Sequence, residues 1–168
     1  MVPLPSNPFA VLSFIVAPAI LTNSSTVLIL STSNRLARAV DRARALGREL
    51  EASQDPGSEA DAQRLRELTV VEKRSVLLVR ALRIFYLAVS GFASAALLSL
   101  AGAILAESAP AWVATLLGYV VIAAGLVAVG SVISGSVLLV RETRMAIATL
   151  SEQTESLRFR VTHRGAKG

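Results

Sequence analysis

The chain has no cysteine and one histidine, His163, in 168 residues. Lack of cysteine excludes disulfides, thiol nucleophiles and thiolate metal sites. His163 lies in the polar terminal stretch RVTHRGAKG with no second His or Cys near it, so it is a poor ligand or base. Charge is missing as well over three long stretches. Phe9–Thr32, Ile84–Ala106 and Trp112–Val140 contain no Asp, Glu, Lys, Arg or His. An acid/base pair, a metal centre or a Ser-His nucleophile has no partner inside them, and Ser24 alone is not a site. No phosphate-binding glycine loop occurs between them. Neither catalytic residues nor a metal site is expected, and the chain is not expected to be an enzyme. The opening residues MVPLPSNPF lack the basic start of a signal peptide, and no small-residue cleavage site follows, so the first apolar segment is expected to be retained.

What remains is strongly apolar: 53% of residues are hydrophobic and the mean hydropathy is +0.58. Each uncharged stretch exceeds the roughly 20 residues that carry an α-helix across a bilayer. A soluble bundle would instead place charges along an outer face at a period of about 3.6 residues. The expected fold is an all-α membrane protein with three transmembrane helices. Its segments are an outer N-terminus and first span (1–32), a cytoplasmic helical hairpin (33–83), a second span (84–106), an outer turn (107–111), a third span (112–140) and a cytoplasmic helix and tail (141–168).

Orientation follows from the basic residues. Eleven of the 17 Lys and Arg lie between Arg35 and Arg83, and six between Arg141 and Lys167. Short basic loops stay in the cytoplasm, which predicts an N-out, C-in chain. Glu107 is then the one charged side chain on the outer side. Eight acids interleave with the eleven bases of the first block, so the net charge of +5 reads as a topological signal and no nucleic-acid partner is expected.

Between Arg35 and Leu50 the apolar positions Leu36, Val40, Ala43, Gly47 and Leu50 alternate spacings of four and three, which places a seam on one helix face. DPGSEADA, Asp55–Ala62, breaks the helix, with Ser58 or Asp61 as the cap of the next. Leu65, Leu68 and Val71 would face inward from that second helix. The charged faces read as solvated, or as a coiled coil that binds a cytoplasmic protein partner. Ile147, Leu150 and Leu157 recur along the last helix.

Small residues mark helix packing in the membrane. Gly91, Ala95, Ser99 and Ala103 recur every four residues in the second span; Gly118, Gly125, Ser131 and Gly135 mark the third. Such residues let backbones approach closely in lipid. PAILTNSST, Pro18–Thr26, differs in kind. Pro18 leaves the Phe14 carbonyl without its helical donor. At 100° per residue, Pro18, Thr22, Ser25, Thr26, Ile29, Thr32 and Ser33 form one mostly polar stripe, with Asn23 and Asn34 beside it.

Two readings of this stripe compete. The hydroxyls can bond back to their own helix while Asn23 joins helices. Alternatively, first spans from several copies converge, and the stripe lines a cation path of hydroxyl, amide and freed carbonyl oxygens. On that reading the path comprises Phe14, Pro18, Thr22, Asn23, Ser25, Thr26, Ile29 and Ser33, with Glu107 at the outer mouth. The chain would be a homo-oligomeric cation-permeable channel needing no cofactor, its permeant ion being Ca²⁺, Na⁺ or K⁺. The competing function is a non-conducting membrane scaffold or regulator that binds partners through its cytoplasmic hairpin.

FAVLSFIVAPAILTNSSTVLILSTSNRLARAVDRAR, Phe9–Arg44, resembles the signature of an uncharacterised bacterial integral membrane protein family, domain of unknown function 2721. APAILTN and STSNRLARAVDR are the most specific blocks. The resemblance implies a multi-pass protein of the bacterial inner membrane with this three-span layout. It brings no activity with it.

Overall fold

The computed structural model of the 168-residue chain describes residues 8–55, 57–105 and 110–165, with side chains for 16, 19–55, 57–105 and 110–147. Three α-helices make up the described chain: α1 (Pro8–Glu51), α2 (Glu59–Leu105) and α3 (Ala111–Gly165). α1 passes Ser33 and Asn34 without a break, and α2 passes Arg80 and Phe85 in the same way. The apolar runs and the charged segments are thus parts of the same helices. No strand occurs among the described residues.

The turn between α1 and α2 has local causes. Gly57 sits at φ 100°, a conformation that costs glycine little and other residues more. Ser58 then caps α2, its Oγ accepting from the Asp61 N–H at 3.3 Å. Glu59 and Asp61 place negative charge in the first turn, where the helix dipole favours it.

The chain divides into two compact units. The first joins Met1–Asn34 and Arg80–Ser136. Here α2 and α3 run antiparallel. A Cβ added to Gly91 would meet the Ala128 Cβ at 2.9 Å, and one added to Gly102 would meet Leu117 Cδ2 at 2.8 Å. At Gly135 the added Cβ would fall 2.6 Å from Phe85 Cε1. Ala88, Phe92 and Ala128 are buried together, with Val132 packed against them.

Most of the apolar surface of this unit points outward. Leu97, Ile104 and Leu126 are 68%, 71% and 70% exposed. Among the described residues, α2 and the Ala111–Ile147 part of α3 are long and apolar enough to cross a membrane, with mean hydropathies of 1.9 and 2.4 over 18-residue windows. Those windows are 22% and 11% buried, so little of their apolar surface is spent on a core. α1 is not among these helices. The first part of its expected span, up to Pro18 apart from Val16, lies outside the residues whose side chains are described.

The second unit joins Arg35–Val79 and Val137–Gly168. Its core is Ala39, Leu46, Val71 and Leu78, with Leu36, Ala43, Leu68 and Leu139 packed against it. The seam of α1 therefore runs through Leu36, Ala39, Ala43 and Leu46. The expected seam shared only Leu36 and Ala43 with it, because a spacing of four chosen first led to Val40, Gly47 and Leu50. Leu65 and Ile147 are exposed, so each faces away from this core. Leu150 and Leu157 have side chains outside the described residues.

Burial along α1 recurs every seven residues: Ser25, Thr32, Ala39 and Leu46 are all buried. In α3 the same interval links Ala128, Gly135 and Glu142. Seven residues are nearly two helical turns, so each set lies along one face.

Candidate functional site

At Glu142 the buried face of α3 carries a charge. Its side chain is 2% exposed. Unpaired, a carboxylate so placed would be costly, and here both oxygens are occupied. Arg74 of α2 donates from Nε at 3.0 Å and from Nη2 at 2.7 Å to Oε1. Arg35 of α1 donates from Nη1 to Oε2 at 3.1 Å and to the Thr143 hydroxyl at 3.1 Å. Thr143 itself donates to the Leu139 carbonyl at 2.9 Å, which fixes the orientation of its oxygen.

Arg35, Arg38 and Arg42 follow one another at spacings of three and four, which places three guanidinium groups along one side of α1. With Arg74, Glu142, Thr143, Ala39, Val71 and Ala146 they line a cleft of about 380 Å³. Arg42 is held by Glu67, donating from Nε at 2.9 Å and Nη2 at 2.7 Å to Oε1. Arg38 is exposed and has no ion-pair partner among the described residues. Four arginines and one carboxylate thus face the same space, and the carboxylate is already engaged by two of them.

Nearer the turn, Arg64 joins Asp61 at 2.7 Å and Glu49 at 3.5 Å. The Ser53 hydroxyl, hydrogen-bonded to the Asp61 carboxylate, is the main influence that holds Asp61 below the ordinary carboxylate range. The hydrogen bond and charge of Arg64 act in the same direction, and desolvation opposes them. Ser53 follows the end of α1 and Asp61 lies in the first turn of α2, so this contact clasps the hairpin at its tip.

The stripe of α1 keeps to one side of the helix, and most of that side is turned inward, with Thr26 exposed at its edge and Asn23 exposed beside it. Ser25 and Thr32 are buried within the chain itself, at 2% and 0% exposure. Thr22, Ile29 and Ser33 are half-buried; Asn23 and Thr26 are exposed. The Thr26 hydroxyl donates to the Thr22 carbonyl at 2.9 Å and that of Thr32 to the Leu28 carbonyl at 2.7 Å. The side chains of Phe14 and Pro18, and all of Glu107, lie outside the described residues.

Of the small residues, Gly91 and Gly135 stand at close approaches and Ala95 is buried. Ser99 is half-buried and Ala103 exposed. A Cβ on Gly118 or Gly125 would meet nothing within 4 Å. Gly102, which the four-residue spacing passes over, makes one of the close approaches. The arginine cleft was the larger omission. Its signal was present in RLARAVDR, where three arginines share a helix side. Arg74 and Glu142 are distant in sequence, and only the pairing of helices joins them to it.

A family model matches residues 15–152, described as protein of unknown function (DUF2721). The chain belongs to this family. No match was found among curated proteins or among solved structures. The DUF2721 region contains every residue lining the arginine cleft, from Arg35 to Ala146, and the polar run of α1.

Proposed function

We propose that this DUF2721 protein is a multi-pass protein of the bacterial inner membrane, oriented N-out and C-in, whose cytoplasmic helices form a non-catalytic binding and regulatory module. Three spans suit this reading: the outward apolar surfaces of α2 and α3 need lipid, and the uncharged run of α1 needs the same setting. The observation that carries it is the Glu142 carboxylate, buried and bonded by Arg35 and Arg74, with Arg38 and Arg42 beside it. Charged groups of this kind assemble a polar recognition site, whereas no comparable set faces the apolar runs.

The cation channel is the second reading, favoured by exposed Asn23, Ser24 and Thr26. Polar side chains facing lipid gain from a second copy of the chain. Burial of Ser25 and Thr32 inside one chain weighs against it, because those hydroxyls are withdrawn from any axis between copies. A homo-oligomer remains compatible with both readings.

Flux separates them. Purified protein in proteoliposomes is expected to pass Na⁺, K⁺ and Ca²⁺ no faster than empty vesicles. Flux that falls on Thr22→Ala or Asn23→Ala would overturn the module reading and establish the conduit.

A further inference from the structure

We propose that the cleft lined by Arg35, Arg38, Arg42 and Arg74 binds a phosphate group, carried by a lipid headgroup or by a soluble phosphate compound. The proposal rests on the reading of this unit as a binding module and names the chemistry of its ligand.

Charge is the first argument. Four guanidinium groups and one carboxylate line about 380 Å³, a volume within the range of small-ligand sites. Glu142 offsets one positive charge, and three remain on the lining. Arg42 is further offset by Glu67 outside the lining set. Like charges brought together repel, and an anion in the cleft relieves that repulsion.

Donor geometry is the second. A guanidinium has five N–H groups. Arg74 spends Nε and Nη2 on Glu142, which leaves Nη1. Arg35 spends Nη1 on Glu142 and Thr143, which leaves Nη2 and Nε. Glu142 therefore fixes two guanidinium groups without exhausting them. Arg38 contributes its whole fork, having no ion-pair partner among the described residues. Planar forks match the oxygens of phosphate in bidentate fashion, and pre-fixed ones lose less freedom on binding. A dianionic phosphate supplies about −1.5 to −2 charges, close to what the cleft lacks.

The test uses the full chain purified in neutral detergent at constant ionic strength. In one arm, inorganic phosphate and pyrophosphate are titrated calorimetrically. In the other, the chain is mixed with phosphatidylcholine, phosphatidylglycerol and phosphatidic acid, and retained lipid is read by native mass spectrometry. Arg38→Gln removes the fork that has no ion-pair partner among the described residues. Arg44→Gln, an exposed α1 arginine outside the cleft, is the control.

Wild type and Arg44→Gln are expected to bind alike, and Arg38→Gln about tenfold more weakly, the scale of a lost charge-assisted hydrogen bond. Arg38→Lys, which keeps the charge and loses the fork, falls between them and serves if Arg38→Gln does not fold. Binding in the soluble arm alone identifies a soluble phosphate compound; retention of acidic lipid alone identifies a headgroup; both outcomes support the site. Absence of binding in both arms, or equal weakening by Arg38→Gln and Arg44→Gln, overturns it. Ion flux would overturn the module reading without touching these measurements, so the two failures are distinct.

Discussion

Glu142 accepts two hydrogen bonds from Arg74, at 3.0 and 2.7 Å, while only 2% of its side chain is exposed. The pair joins α3 to α2, and Arg35 extends it to α1. Three helices of the second unit thus meet on one carboxylate. Removing it leaves two guanidinium groups without their anion. Breaking a fully buried pair costs about 3–5 kcal/mol. Arg35 and Arg74 are 41% and 30% exposed and can turn to water, so Glu142→Gln is expected to cost about 1–3 kcal/mol. Loss of helical signal on heating in detergent measures this. An unchanged midpoint would mean that the ion pairs contribute nothing to stability.

Gly135 and Gly130 lie in the same helix and should respond oppositely to alanine. At Gly135 the new Cβ would stand 2.6 Å from Cε1 of Phe85, a ring with no exposed surface. The ring has nowhere to go without moving α2 from α3, and overpacking of this kind costs about 1–3 kcal/mol. At Gly130 the Cβ meets nothing within 4 Å, and alanine should be neutral or stabilising by up to about 1 kcal/mol. Midpoints of Gly135→Ala and Gly130→Ala, measured side by side, check the contrast. Equal midpoints would contradict the close packing of Phe85 on Gly135.

What could be read from sequence depended on range. Uncharged runs and the DPGS turn are local signals, and they pointed to an all-α chain with a break between α1 and α2. Continuity of α1 through Ser33-Asn34 was only half legible, because no strong stop lies there but Ser and Asn also suit the start of a new helix. The face of α1 was harder, since Leu36 and Ala43 belong to two different seams and only packing against Val71 and Leu78 selects Ala39 and Leu46. Glu142 reads in sequence as one more solvated acid in RETR. Its burial depends on Arg35 and Arg74, 107 and 68 residues away, and no local pattern carries that. The polar stripe was legible as a stripe, but not the side to which it faces.

Asp61 makes hairpin stability depend on acid. Its carboxylate has a pKa lowered by the Ser53 hydroxyl and by Arg64. A lowered folded-state pKa stabilises the fold above the unfolded value, about 3.9, and that contribution fades as pH falls through the folded value. Wild type is expected to be more stable than Asp61→Asn at pH 6, and the gap should begin to narrow near pH 4 and close only as pH falls through the lowered folded-state value. Ser53→Ala should narrow the pH 6 gap, because it removes the main cause of the shift. Melting curves from pH 6 down to about pH 2 measure it; a gap that stays constant over that whole range would show that Asp61 acts by shape and not by charge.

Asn23 and Ser25 divide the polar run of α1 by direction. Ser25 is 2% exposed within the chain, whereas Asn23 is exposed. Ser25→Leu forces a large side chain into a filled position and should cost about 1–3 kcal/mol. Asn23→Leu makes no such demand. If Asn23 faces lipid, leucine is more soluble there than the amide, and the variant should be as stable as wild type or more so. If a second copy of the chain covers Asn23, the lost interhelical hydrogen bond should weaken association by about 1 kcal/mol. Melting in detergent reads the first effect, and the dissociation of oligomers on dilution into micelles reads the second. A stable Asn23→Leu with unchanged association would leave the amide facing lipid, with no inter-copy pore built on it. Weakened association with an intact melt would put α1 at a contact between copies, the arrangement that the conduit requires and the module merely permits.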